Sequence, residues 1–331
     1  MPLTQADLED VQADAMADDV AIDLEKMSLW SREDAVKYFE SGGTEEPPPP
    51  IASYTGPYTN GSVPTGATPW LAAVAKEPAA TKRVVVFSWT GNRGGQGSAH
   101  NIRRVPLNWA KELGGDYEVY EVTLPGRGTR MKDPLRTDVK ALIGEMAEAI
   151  GCALEGGRPY ALVGFAFGAV LAYEVGRAIA AKSSSEGPAL LVAISAEGPS
   201  WAGRAGKQHS LALPAFIDVL KKKGGTEFIL KDAGMTKMYV PVIQADLALE
   251  EQYALPSAGS VAAFPITAVA GTKPGRDQEK SMVPADVADL WCAATSAPYK
   301  LLTVGTDWYV LQEESGVRAV LGEVTSFMGA L

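Results

Sequence analysis

This chain of 331 residues has two histidines, His100 and His209, and two cysteines, Cys152 and Cys292. Two cysteines do not make a disulfide framework, so a reducing compartment, cytoplasm or organelle stroma, is the expectation. No run of about 18 uncharged apolar residues occurs, and no membrane span is expected. The N-terminus carries Asp7, Glu9, Asp10 and Asp14 where a signal or transit peptide would carry basic or apolar residues. A basic surplus is missing too. The net charge is −10, and residues 1–46 account for it with 13 acids against 3 bases. The other 285 residues are neutral overall, which argues against a nucleic-acid or anionic-membrane surface. No metal and no cofactor are expected.

What is present fits a soluble globular protein, 46% hydrophobic and 21% charged, long enough for one large α/β domain with additions. The acidic leader serves solubility on the plainer reading and docks a basic partner on the sharper one. It is not uniformly polar. Leu24, Met27, Leu29, Trp30, Tyr38 and Phe39 are too many large apolar groups for a solvating tail, so residues 20–40 are expected to pack on the domain or on a partner. Ser31 and Asp34 resemble a helix N-cap arrangement. Pro47 to Pro50 form a stiff spacer, and Tyr54 to Thr68 read as irregular loop. Residues 1–80 are therefore read as extension and linker, and residues 81–331 as the domain.

Within that domain, apolar strands alternate with helices. Strands are expected at Lys82 to Phe87, Tyr117 to Val122, Tyr160 to Val163, Ala189 to Ser195, Ile266 to Ala270 and Tyr299 to Val304. Helices are expected around Leu107 to Leu113, over Val139 to Leu154, from near Ala169, and over Gly316 to Met328. Continuous apolar strands alternating with helices imply a mostly parallel sheet covered on both faces. Between Leu211 and Leu255 the pattern is helical only, and an insertion at about 205–260 sits where a lid would.

The sharpest local pattern is Gly164-Phe165-Ala166-Phe167-Gly168 between an apolar strand and a helix. Strand, Gly-x-nucleophile-x-Gly, helix is the nucleophile elbow of α/β hydrolases, whose glycines keep a sharp turn free of side chains. The nucleophile position holds Ala166, and a methyl group cannot attack a carbonyl. The backbone amides of an oxyanion hole would come from Phe167 and from the first-strand loop near Thr90 or Gly91. The Gly-rich run from Gly91 to Ser98 lacks the lysine and spacing of a phosphate loop, so it is read as oxyanion loop.

Several further motifs make residues from about Val84 to the C-terminus resemble a type II thioesterase, the free-standing editing hydrolase of polyketide and nonribosomal peptide assembly lines. Leu124-Pro125-Gly126-Arg127-Gly128-Thr129-Arg130 is similar to the family's Pro-Gly-Arg-x-x-Arg loop. Gly164 to Ala169 with Leu171-Ala172-Tyr173-Glu174 is similar to its elbow and helix. Leu220 to Thr226, Pro241, Ala245-Asp246 and Tyr253 are similar to its lid, and Gly305 to Leu311 to its Gly-Gly-His-Phe-Phe-Leu run. The resemblance implies the α/β-hydrolase fold and an acyl carrier protein or acyl thioester as partner. It also locates the departures. Asp307 stands where the base histidine belongs. Pro274 aligns with the acid, and Asp277 is the nearest acidic candidate.

Three readings follow. The first is a non-catalytic homologue that binds or scaffolds, because two essential groups are missing and loss of one triad member alone costs about 10⁴ to 10⁶ in rate. The second is a working type II thioesterase captured as an inactivated Ser-to-Ala variant, which Ala166 allows and Asp307 argues against. The third is shifted chemistry with Asp307 as a general base toward water. The first is favoured.

Overall fold

The computed structural model describes residues 69–75, 79–89, 109, 112–127, 130–182, 187–223, 226–255, 261–274, 283–307 and 309–331. Residues 63–211 and 215–331 form one compact unit. Its centre is a seven-stranded sheet in the order β1-β3-β2-β4-β5-β6-β7. The strands are β1 Leu71–Ala75, β2 Lys82–Phe87, β3 Tyr117–Val122, β4 Tyr160–Phe165, β5 Leu190–Ile194, β6 Ile266–Gly271 and β7 Tyr299–Val304. β1 runs antiparallel to β3, and every other pairing is parallel. This is a mostly parallel sheet with helices, the α/β-hydrolase architecture.

Every residue of β4, β5 and β6 is buried. Successive side chains of a strand point to opposite faces, so full burial means that both faces are covered. The helices that cover them are α1 Val139–Leu154, α2 Phe167–Lys182 and, at the C-terminus, Glu314–Gly329. α1 and α2 pack on each other, α2 lies against β4 and β5, and the C-terminal helix lies against β4, β5 and β7. Asp138 caps α1 by accepting from the N–H groups of Lys140 and Ala141 at 2.9 and 3.0 Å.

β3, α1 and β7 fall on their expected bounds. α2 begins at Phe167, two residues ahead of the expected start, because the elbow turn is tighter than the apolar pattern reveals. β1 lies in the stretch that the sequence pattern assigns to the linker. Leu71-Ala72-Ala73-Val74-Ala75 has one β-branched residue and no flanking strand pattern, and only its pairing with β3 makes it a strand. Between β5 and β6 the chain is helical in character, with short turns at Ala202–Arg204 and Gln208–Ser210, then α3 Leu213–Lys223, α4 Glu227–Leu230 and α5 Ala233–Gln252. After β6 comes α6 Ala285–Ala288, and the C-terminal helix is α7.

Candidate functional site at the elbow

β4 ends at Phe165 and α2 starts at Phe167, so Ala166 alone makes the turn. Its φ is 51°, in the left-handed region that costs a residue with a Cβ about 1–2 kcal/mol. The turn is held on both sides by backbone. The Ala166 N–H donates to the Ile194 carbonyl at 3.0 Å, and the Ala166 carbonyl accepts from Ala169 N–H at 3.0 Å. A Cβ on Gly164 would sit 2.2 Å from the Ala169 Cα, and one on Gly168 would sit 2.4 Å from the Phe87 carbonyl oxygen. Both glycines are therefore required by close backbone approach. Ala166 is only 7% exposed. The Phe167 N–H belongs to the first turn of α2, where amides lack an intrahelical acceptor, as an oxyanion donor requires.

Asp307 follows β7 and belongs to a turn of its own. Its Oδ1 accepts the N–H of Tyr309 at 2.7 Å, the two-residue reach by which aspartate shapes turns. Its carbonyl accepts from the Thr306 hydroxyl at 3.0 Å, and Lys273 N–H donates to the Thr306 carbonyl at 2.9 Å. Gly271 at the end of β6 lies so close that a Cβ there would meet the Asp307 carbonyl oxygen at 2.1 Å. The loops after β6 and β7 are thus fastened together. Thr90, Gly91, Asp277 and His100 lie outside the described residues.

The structure also brings together motif residues distant in sequence. Arg127 of the Pro-Gly-Arg loop forms a two-pronged ion pair with Asp246 of α5, Nη1 to Oδ2 at 2.9 Å and Nη2 to Oδ1 at 2.5 Å. Asp246 is 1% exposed and the Arg127 side chain 14%. Beside the pair is a cavity of about 10 Å³, lined in part by Leu124, Leu135, Leu142 and Leu249. It has room for one water and none for an acyl chain. At the C-terminal end of α5, the Tyr253 hydroxyl donates to Glu174 Oε1 of α2 at 2.6 Å. Burial, followed by the Glu174 charge, drives the Tyr253 pKa well above that of an ordinary phenol.

Arg204 is the functional-site neighbour that sequence reasoning missed. Its buried guanidinium donates to the carbonyls of Glu197, Gly198 and Pro199 at 3.1, 3.2 and 3.3 Å. It also lies 5.8 Å from the ring of Phe167, 5.6 Å from Tyr253 and 5.8 Å from Trp201, within cation–π range. Phe167 in turn meets Trp89 and Tyr253 edge to face, with centroids 4.9 and 5.7 Å apart. The elbow, the loop after β5 and the end of α5 are therefore one packed unit. His209 has its Nδ1 2.7 Å from Glu251 Oε2, and Glu251 also accepts the N–H groups of Gln208 and His209. That carboxylate fastens the segment before α3 to α5.

Comparison with known proteins agrees with this geometry. The thioesterase domain family matches residues 104–326, more than half of the chain. The medium-chain S-acyl fatty acid synthase thioesterase of Homo sapiens is 28% identical over 177 residues, 52% of this chain and 62% of that protein. The chain thus spans about six tenths of that relative's length. Linear gramicidin dehydrogenase LgrE of Brevibacillus parabrevis is 27% identical over 210 residues, 62% of this chain and 76% of that one. Among solved structures, the RedJ thioesterase of the prodiginine pathway of Streptomyces coelicolor superposes with a TM-score of 0.61 at 22% identity, covering 76% of this chain and 88% of that one. With the family match spanning strands β3 to β7, the elbow and the helical insertion, the chain belongs to the thioesterase family, built on the α/β-hydrolase fold.

Proposed function

We propose that the chain is a non-hydrolysing thioesterase homologue that binds or scaffolds the carrier-linked acyl machinery which its relatives serve. The observation that carries the reading is Ala166. The elbow turn is complete in every backbone respect and carries a methyl group where the attacking oxygen would be. Asp307 supports it, because its carboxylate closes a local turn onto Tyr309. That role also disfavours Asp307 as a general base. The oxyanion amides, Phe167 with Thr90 or Gly91, would persist as a binding feature, because backbone donors survive side-chain change. Asp277 would then have no histidine to orient. Residues 205–260 act as a lid over the site in this reading, and residues 20–40 contact a protein partner.

The second reading is a type II thioesterase that hydrolyses acyl thioesters on carrier proteins or coenzyme A, with Ala166 in place of a native serine. The test is release of free thiol from acyl-pantetheine and acyl-carrier substrates, followed with a thiol-reactive dye. The chain with Ala166 and Asp307 should give no rate above buffer. A rate well above buffer that disappears in Asp307→Asn would overturn the reading in favour of shifted chemistry. Ala166→Ser combined with Asp307→His should recover turnover if Asp277 and the oxyanion loop are intact. Strong turnover from Ala166→Ser alone would favour the second reading.

A further inference from the structure

The first part of the helical insertion, up to the start of α5, is basic in a chain that is otherwise neutral or acidic. Residues 205–240 contain six lysines against three acids, a surplus of three. Residues 47–331 as a whole are neutral, so their remainder carries a deficit of three. Lys221, Lys222, Lys231 and Lys237 are all exposed. Two of the acids among them are engaged locally. Asp218 pairs with Lys221 at 3.1 Å, and Asp232 caps α5 by accepting Met235 N–H at 2.7 Å.

These lysines belong to one corner and not to a scattered surface. The Thr226 hydroxyl donates to the Leu220 carbonyl near the end of α3, at 3.5 Å. The Thr226 carbonyl accepts from Ile229 N–H at 3.0 Å, and the Ile229 carbonyl accepts from the Thr236 hydroxyl in α5 at 2.9 Å. α3, α4 and the start of α5 are thereby tied into one piece. Phe216, Leu220 and Ile229 are buried beneath it. Met238 is 43% exposed beside Lys237, an adaptable apolar contact in the midst of positive charge.

We propose that this corner, centred on Lys222, Lys231, Lys237 and Met238, is the docking surface for a carrier domain that presents an acidic face. The proposal rests on the carrier-directed reading above and names where that partner sits. Two observations select this occupant. The first is charge complementarity together with the exposed methionine. A nucleic acid would demand a larger basic footprint, since its affinity comes from many phosphate contacts. The second is distance. α5 runs from this corner to Tyr253, whose ring packs on Phe167 beside Ala166. The helix between Lys237 and Tyr253 spans roughly 24 Å at 1.5 Å per residue. A partner that docks that far from the elbow must deliver its cargo on a long flexible arm, as a carrier domain does.

The test measures binding of the full chain to an isolated carrier domain bearing a non-hydrolysable acyl-pantetheine amide, by calorimetry at low and physiological salt. Lys222→Glu/Lys231→Glu/Lys237→Glu should weaken binding by about tenfold or more and flatten its salt dependence. The milder Lys222→Gln/Lys231→Gln/Lys237→Gln should weaken it less, and Met238→Ala should weaken it without changing the salt slope. Lys300→Glu, on the edge strand β7, should leave it unchanged. Native-like affinity in both triple variants would overturn this docking site while leaving the carrier-directed reading intact. No binding by the native chain to any carrier domain would overturn both, and tighter binding to DNA or anionic vesicles than to the carrier would overturn the choice of partner.

Discussion

Removing Arg127 tests whether the helical insertion is fastened to the sheet by one buried ion pair. Asp246 is 1% exposed and meets the Arg127 guanidinium through two hydrogen bonds at 2.9 and 2.5 Å. Arg127→Ala removes the cation and leaves that carboxylate buried, a change that costs about 3–5 kcal/mol in comparable sites. Asp246→Asn should cost less, about 1–3 kcal/mol, because the amide keeps the shape and the Arg127 side chain, 14% exposed, still reaches the Pro125 carbonyl at 3.4 Å. Arg127→Met with Asp246→Leu should be close to neutral, since apolar replacement of both partners removes the desolvation cost along with the attraction. The ordering, single Arg loss worst and double replacement mildest, distinguishes a buried clamp from a surface pair. Urea denaturation monitored by circular dichroism measures it, and an unchanged slope shows that the same surface unfolds. A cost for Arg127→Ala below about 1 kcal/mol, the value of an exposed ion pair, would refute the reasoning.

Gly164→Ala should destabilise by about 1–3 kcal/mol or more, because the new methyl group meets backbone at 2.2 Å and backbone cannot rotate away; a neutral result in thermal melts would contradict the close approach of β4 to α2. Ala166→Gly should stabilise by about 1 kcal/mol by relieving φ 51°, and a loss of stability would mean that the packing of the methyl outweighs the strain. Tyr253 has a raised folded pKa, so its contribution is fully present below the ordinary phenol value of 10 and declines as pH rises above it; Tyr253→Phe should flatten the alkaline limb of a stability–pH curve. Deleting residues 1–50 should weaken partner capture more than it lowers the melting temperature of the domain, and unchanged capture would count against a scaffold role for the leader.

How far the sequence revealed this architecture depended on the range of the interaction. β3, α1 and β7 were legible because their apolar periodicity is local, and the elbow because glycines at both ends of a five-residue turn answer to local crowding. β1 was not, since an alanine-rich pentapeptide becomes a strand only beside β3. Arg127 and Asp246 were each conspicuous within their own motifs, but their pairing spans 119 residues and nothing local encodes it. Glu174 and Tyr253 are a second such pair, 79 residues apart. Arg204 sits in an unremarkable run of small residues, Ala202-Gly203-Arg204-Ala205-Gly206, and only burial among carbonyls and rings exposes its role.

Under the proposed reading, in which Ala166 and Asp307 stand at the nucleophile and base positions, backbone restraints explain how both side chains are compatible with the fold. At the elbow the turn is determined by its neighbours. Gly164 faces Ala169, Gly168 faces the Phe87 carbonyl, and Ala166 N–H is tied to β5, so none of the restraints involves the side chain at position 166. Among the described residues, Ser195 at the end of β5 is the other non-glycine residue with positive φ, at 48°, so two adjacent strands end in the same strained conformation. Strain of this kind persists only where the surroundings over-determine it. The turn therefore stands with alanine at position 166, at φ 51°. The loop after β7 is held differently. Its fastening to β6 runs through the backbone of Thr306 and Asp307, while the Asp307 side chain accepts the Tyr309 amide. The side chains at both positions are thus separable from the architecture, and under the proposed non-hydrolysing reading the backbone turn would serve binding in place of chemistry.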